Sequence, residues 1–205
     1  MQGFIINLNR VKEEDLIVTI VSKTNLHTLY RFYGSRHGTI NIGFKIDYEI
    51  ETSTKSTISR LKDVVHIGYK WINKREDLQL WQQFASLFYQ HLIEAEELSS
   101  FYYDLLEEAS IQWGKQNSKR VAIEQYIKLL QYEGRLYHKQ ICFLCSNEIK
   151  DDPSIIRAFL PTHYHCNKTM PVNKNAFLEL CTNKNSLFLS DKEIDRLWNV
   201  LMEGF

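Results

Sequence analysis

Asp15-Leu16-Ile17-Val18-Thr19-Ile20-Val21-Ser22 is the stretch on which the reading of this chain turns. Val, Ile and Thr carry two heavy atoms on Cβ, crowd a helical turn and favour extended backbone. Both alternate faces of Ile17 to Val21 are largely apolar, as in a central strand covered on both sides. Gly3 to Leu8 precedes it as another strand, and Leu26 to Tyr33 follows. In the latter, Leu26, Thr28, Tyr30 and Phe32 share one face, and His27, Leu29, Arg31 and Tyr33 the other. Gly34-Ser35-Arg36-His37-Gly38 reads as a turn. Phe44 to Thr52 and Asp63 to Tyr69 read as two further strands.

Five short strands in about 70 residues suit a small closed barrel, which removes exposed edges and at this size points to an OB-fold. The pattern changes near Asn73. Asp77 is placed to cap a helix from Leu78, with Leu80, Phe84, Leu87, Phe88, His91 and Leu92 at helical spacing. Leu98 to Trp113 and Val121 to Tyr132 continue as helices, the latter closing near Gly134. Asn175 to Cys181 and Asp191 to Met202 are two more, the last capped by Ser190 or Asp191. The expected fold is α+β and multi-domain. An N-terminal OB-fold barrel spans 1–73, and an all-α domain spans 74–205 with a zinc-binding insert at 141–170.

The chain has 205 residues, 44% of them hydrophobic, with only 3 Pro and 8 Gly, a composition for packed cores rather than disorder. No run of about 18 apolar residues predicts a transmembrane helix. The first ten residues lack the features of a signal peptide, so the expected address is the cytoplasm, where paired cysteines serve more often as metal ligands than as disulfides. Net charge is zero but uneven. Residues 1–75 hold 12 basic and 7 acidic side chains; the remainder holds 13 and 18. The barrel is therefore the better candidate for a polyanion partner.

Cys142-Phe143-Leu144-Cys145 followed by His163-Tyr164-His165-Cys166 pairs C-x-x-C with H-x-x-C, the spacing of a structural zinc knuckle. Cys142, Cys145 and Cys166 are three ligands. His163 is the better fourth by spacing, and His165 is its rival. Cys181, among Phe177, Leu178 and Leu180, reads as core. In the barrel, basic and aromatic residues interleave from Tyr30 to Lys45. Arg31, Arg36, Lys45, Arg60 and Lys62 are candidates for phosphate contacts, and Tyr33 and Phe44 for base stacking, while alternate rings fill the barrel. The sequence has no nucleotide-binding P-loop, no G-x-S-x-G and no H-E-x-x-H, so a non-enzymatic role is expected. His91 with Glu94 offers only a fragment of a metallohydrolase site. Glu94, Glu96, Glu97, Glu107 and Glu108 read as solvated helix faces.

The order of parts resembles the RecO family of bacterial recombination mediators. Gly3-Phe4-Ile5-Ile6, then Glu14-Asp15-Leu16-Ile17-Val18-Thr19-Ile20-Val21, is similar to the family's opening. Gly34-Ser35-Arg36-His37 and Gly43 through Glu51 are similar to its basic loop and following strand. Where zinc-bearing members usually show C-x-x-C twice, His163 here replaces one cysteine. The resemblance implies a mediator that binds single- and double-stranded DNA and anneals complementary strands. It implies work with RecR to load RecA onto strands coated by single-stranded DNA-binding protein, in DNA repair and recombination at the nucleoid. The alternatives are a zinc-stabilised scaffold that binds proteins and, behind it, a metal-dependent hydrolase.

Overall fold

The computed structural model describes residues 1–52, 56–95 and 97–205, which form two compact units, Met1–Gly114 and Lys115–Phe205. In the first unit, β1 (Gln2–Arg10), β2 (Leu16–Ser22), β3 (Leu26–Arg31), β4 (Lys45–Glu51) and β5 (Arg60–Ile67) close a barrel in the order β1-β2-β3-β5-β4. This is the topology of an OB-fold. All its pairings are antiparallel except β3 with β5, which meet in parallel at Tyr30 and Arg60. As expected, β2 has a neighbour on each side and is buried almost throughout. Ile5, Leu16, Val18, Ile20, Leu29, Phe44, Ile46, Tyr48 and Leu61 belong to the barrel core.

A register shift between Ile5 and Asn7 interrupts the period-two alternation of β1, so Phe4, Ile5 and Ile6 are all buried. Ile5 points into the core, while the Phe4 ring lies 5.3 Å from that of Tyr103 and 6.3 Å from that of Trp81. Those rings sit on α2 (Ser100–Gln112) and α1 (Arg75–Leu92), which pack on the barrel. Trp71, Trp81 and Trp113 form one aromatic cluster whose three indole N–H groups all reach backbone carbonyls, those of Ser110, Gly43 and Asp77. This cluster shifts the division of the chain. The sequence divides it at residue 73; the compact units part after Gly114, because α1 and α2 bury their apolar faces on the strands. Helix α1 also begins earlier than expected. Lys74 stands at its cap without a side-chain capping bond, and Asp77 lies in the first turn, where a carboxylate favours the positive end of the helix dipole.

The second unit contains α3 (Ser118–Tyr132), capped by Asn117, then α4 (Tyr164–Asn167), α5 (Lys174–Asn183) and α6 (Asp191–Leu201). It is not all-α. β6 (Ser154–Ile156) and β7 (Leu160–Thr162) pair as a small antiparallel sheet. These three-residue strands are too short for an alternating pattern to announce them. Ser190 and Glu193 cap α6 reciprocally. Tyr126 of α3 stacks on Phe205 and meets Phe159 edge-on. Cys181 is buried, as expected, and burial pushes its thiol pKa up to about 12. No helix among the described residues is long and apolar enough to cross a membrane.

Candidate nucleic-acid interface and metal centre

The end of β3 and the turn after it carry a contiguous cationic and aromatic surface. Asp15, almost fully buried, accepts a hydrogen bond from the Tyr30 hydroxyl at 2.5 Å on one oxygen and from the Tyr33 backbone N–H at 2.9 Å on the other. The Tyr30 hydroxyl first, then the Tyr33 N–H, hold its carboxyl below the ordinary value. A lowered folded-state pKa means that this anchor contributes above the ordinary value of 3.8 and is lost as the pH falls through the folded value. Tyr33 takes a left-handed backbone, φ 52°. Gly34 follows where a Cβ would lie 2.9 Å from Leu16 Cδ1, so a short 3₁₀ turn can pass closely over β2. Arg36 lies over the Tyr33 ring at 5.2 Å and pairs with Glu14 at 2.6 Å. Arg60 lies over the Phe32 ring at 5.0 Å, and Phe32 meets Tyr30 edge-on at 4.9 Å. Glu51 takes Lys62 at 2.5 Å and Arg60 at 3.6 Å. Exposed ion pairs of this kind contribute about 0–1 kcal/mol each, so a phosphate can displace the carboxylates at small cost.

In the second unit, Cys142, Cys145, His163 and Cys166 present their ligand atoms within 4.8 Å of one another. Two tight turns bring them together. Ser146 N–H returns to the Cys142 carbonyl, with Ser146 left-handed at φ 59°, and Cys166 N–H returns to that of His163. The His163 N–H donates to the Cys142 sulfur at 3.4 Å and joins the two turns. Burial opposes the Cys142 thiolate, but hydrogen bonds from the His163, Cys145 and Leu144 backbones outweigh it and lower the thiol pKa to about 6. The His163 Nε2 lies 3.0 Å from the Glu148 carbonyl, which turns Nδ1 toward the sulfurs, 3.3 Å from Cys145 and 3.9 Å from Cys166. A tetrahedron with metal–sulfur bonds of 2.3 Å has edges of about 3.8 Å, so the group is able to hold one ion. His165 stacks on His163 at 4.7 Å and is not among the four. Among the described residues no other group of three or more His, Cys, Asp or Glu could hold a metal ion, and His91 does not contribute.

The model of the RecO N-terminal domain matches residues 1–72. The matched stretch holds all five strands of the barrel, which is thus similar to the N-terminal domain of RecO proteins. No curated protein matches the chain.

The barrel divides the seven residues proposed from the sequence. Tyr33, Arg36, Arg60 and Lys62 are exposed or partly exposed and lie on or beside the surface around Asp15. Three others do structural work. Phe44 is 7% exposed, belongs to the barrel core and stacks on His66 at 4.0 Å, so no base can reach its face. Lys45 is partly buried and pairs with Glu107 at 2.7 Å, with the Phe4 and Tyr103 rings under its ammonium. Burial opposes that charge, the carboxylate more than offsets it, and the lysine pKa is raised. Glu107 is correspondingly part of this pair rather than a solvated face, and Glu96 lies outside the described residues. Arg31 donates to the Leu61 carbonyl at 2.9 Å and ties β3 to β5 where their ladder is shortest. Phe32 belongs to the interleaved basic and aromatic run but is not one of the seven. Its signal was the outward face it shares with Tyr30 and Thr28 in the alternating strand.

Proposed function

We propose that this chain is a non-enzymatic recombination mediator. It binds single- and double-stranded DNA on the barrel surface around Arg36, Arg60 and Lys62, and it anneals complementary strands. With RecR it helps load RecA onto strands coated by single-stranded DNA-binding protein, acting in the cytoplasm at the nucleoid. The observation that carries this reading is the arginine and aromatic surface on a RecO N-terminal domain. Guanidinium groups screen the repulsion between two phosphate backbones, so strands can pair while bound. Three thiolates and one imidazole are a donor set suited to Zn²⁺, with no position left for substrate, and the ion holds the 141–170 segment as a structural staple.

Filter binding to single-stranded DNA across a salt series tests this reading. Each phosphate contact to a single strand contributes roughly 0.7 to the slope of log affinity against log salt. Arg36→Ala and Arg60→Ala are each expected to remove about that much. Lys45→Met is expected to leave the slope unchanged, since its charge is already spent on Glu107. A wild-type chain without affinity at low salt overturns the reading. It would leave the alternative of a zinc-stabilised scaffold for proteins, which the exposed Phe143 and Leu144 between the paired cysteines favour.

A further inference from the structure

We propose that Phe32 and Tyr33 are the base-stacking pair of the barrel and that Asp15 is the residue that positions them. The ligand is an unpaired strand, whose bases have free faces; the inference rests on the DNA-binding reading above. Successive residues of a strand point to opposite faces. Continued extended backbone would send Tyr33 to the face of Leu29, which is core. The left-handed φ of 52° ends the strand instead, and both rings stay in solvent, Phe32 at 45% and Tyr33 at 57% exposure. A residue with a Cβ is disfavoured in that region, and Gly or Asn would occupy it more readily. Strain retained where a better residue exists is found where the surroundings enforce it and function uses it.

Here the enforcing group is one carboxylate. One oxygen of Asp15 holds the Tyr33 backbone, and the other holds the Tyr30 hydroxyl. The Tyr30 ring in turn braces the edge of Phe32. Each exposed ring also keeps a guanidinium over it, Arg60 on Phe32 and Arg36 on Tyr33. A base laid on either ring therefore arrives beside a cation able to take its phosphate, which couples stacking to charge at both positions.

Fluorescence polarisation with two probes of equal length separates stacking from charge: oligothymidylate, and an abasic strand with the same backbone. Phe32→Ala and Tyr33→Gly are each expected to weaken oligothymidylate binding about tenfold, the equivalent of ~1.4 kcal/mol, and to leave the abasic strand unchanged. Tyr33→Gly is expected to hold or raise the melting temperature while it loses affinity, a result that a structural role for the ring does not give. Asp15→Ala is expected to show the same base-dependent loss. Asp15→Asn restores most of it, because its oxygen can accept from Tyr33 N–H and its amide can donate to the Tyr30 oxygen. If Asp15→Ala does not fold, Tyr30→Phe carries the positioning test by removing the hydroxyl alone. Equal wild-type affinity for both probes, unaffected by these variants, overturns the stacking pair and leaves the charged interface standing. No wild-type binding to either probe overturns both.

Discussion

Trp81→Ala is expected to destabilise the barrel unit by about 3–5 kcal/mol, the range for truncating a fully buried aromatic. Trp81 has no exposed surface and lies at the centre of the cluster formed with Phe4, Tyr69, Trp71, Phe84 and Trp113. Its indole N–H donates to the Gly43 carbonyl at 2.6 Å, an oxygen that also accepts from the Tyr69 hydroxyl at 2.7 Å. Removing the ring opens a cavity where α1 meets the barrel and takes one of two donors from a buried carbonyl. The same junction can be tested from its other side. Gly43 has φ +81°, and a Cβ there would lie 2.6 Å from the indole. Gly43→Ala therefore combines backbone strain with a clash against a side chain that has no room to move, on the order of 3 kcal/mol. Urea unfolding followed by circular dichroism measures both variants. A loss below about 1 kcal/mol for Trp81→Ala would mean that α1 does not depend on this packing.

Chelation is expected to have the second large effect, confined to the other unit. If Cys142, Cys145, His163 and Cys166 hold a structural ion, its binding energy is folding energy for the segment around them. Restored zinc at a hundred times its dissociation constant would then stabilise that unit by about 2.7 kcal/mol. The tryptophans make the two units separable by spectroscopy. Trp71, Trp81 and Trp113 lie in the first unit, and Trp198 lies in the second. A chelator should lower the melting transition of the second unit while most of the tryptophan emission stays that of buried rings. Cys166→Ser should reproduce the effect without chelator, and His165→Ala should not. A melting curve indifferent to both chelator and zinc would rule out the staple.

The strands were legible because β-branched residues and two-residue alternation announce them, and β2 announced its central place by being apolar on both faces. The alternation misleads where β1 shifts register at Ile6, and it could not place Phe4 against the helices rather than in the barrel. Helical spacing showed that α1 and α2 bury a face. It did not show that this face meets strands, since an amphipathic pattern names no partner. The cationic surface was legible in part. Residue type brought out Arg36 and Arg60, but only the fold shows that Lys45 and Arg31 are occupied, by Glu107 and by the Leu61 carbonyl. For the metal ligands, spacing gave the two pairs. Spacing also favoured His163 over His165, and the fold adds the Glu148 carbonyl that orients its ring, brought to the site by a bridge between Ile141 and Glu148. Nothing local to His163 encodes that carbonyl.

The burial of Cys181 makes the thiols of this chain a gauge. Of the four cysteines, three belong to the cluster, and the fourth sits inside the helical unit with its pKa pushed to about 12. A thiol so placed supplies almost no thiolate at neutral pH and resists alkylating reagents while the protein is folded. Labelling under native conditions is therefore expected to be near zero when the ion is bound and to rise when it is stripped, first at Cys145, the exposed thiol of the cluster. The extent of Cys145 labelling would follow occupancy of the site, with Cys181 silent until the unit unfolds.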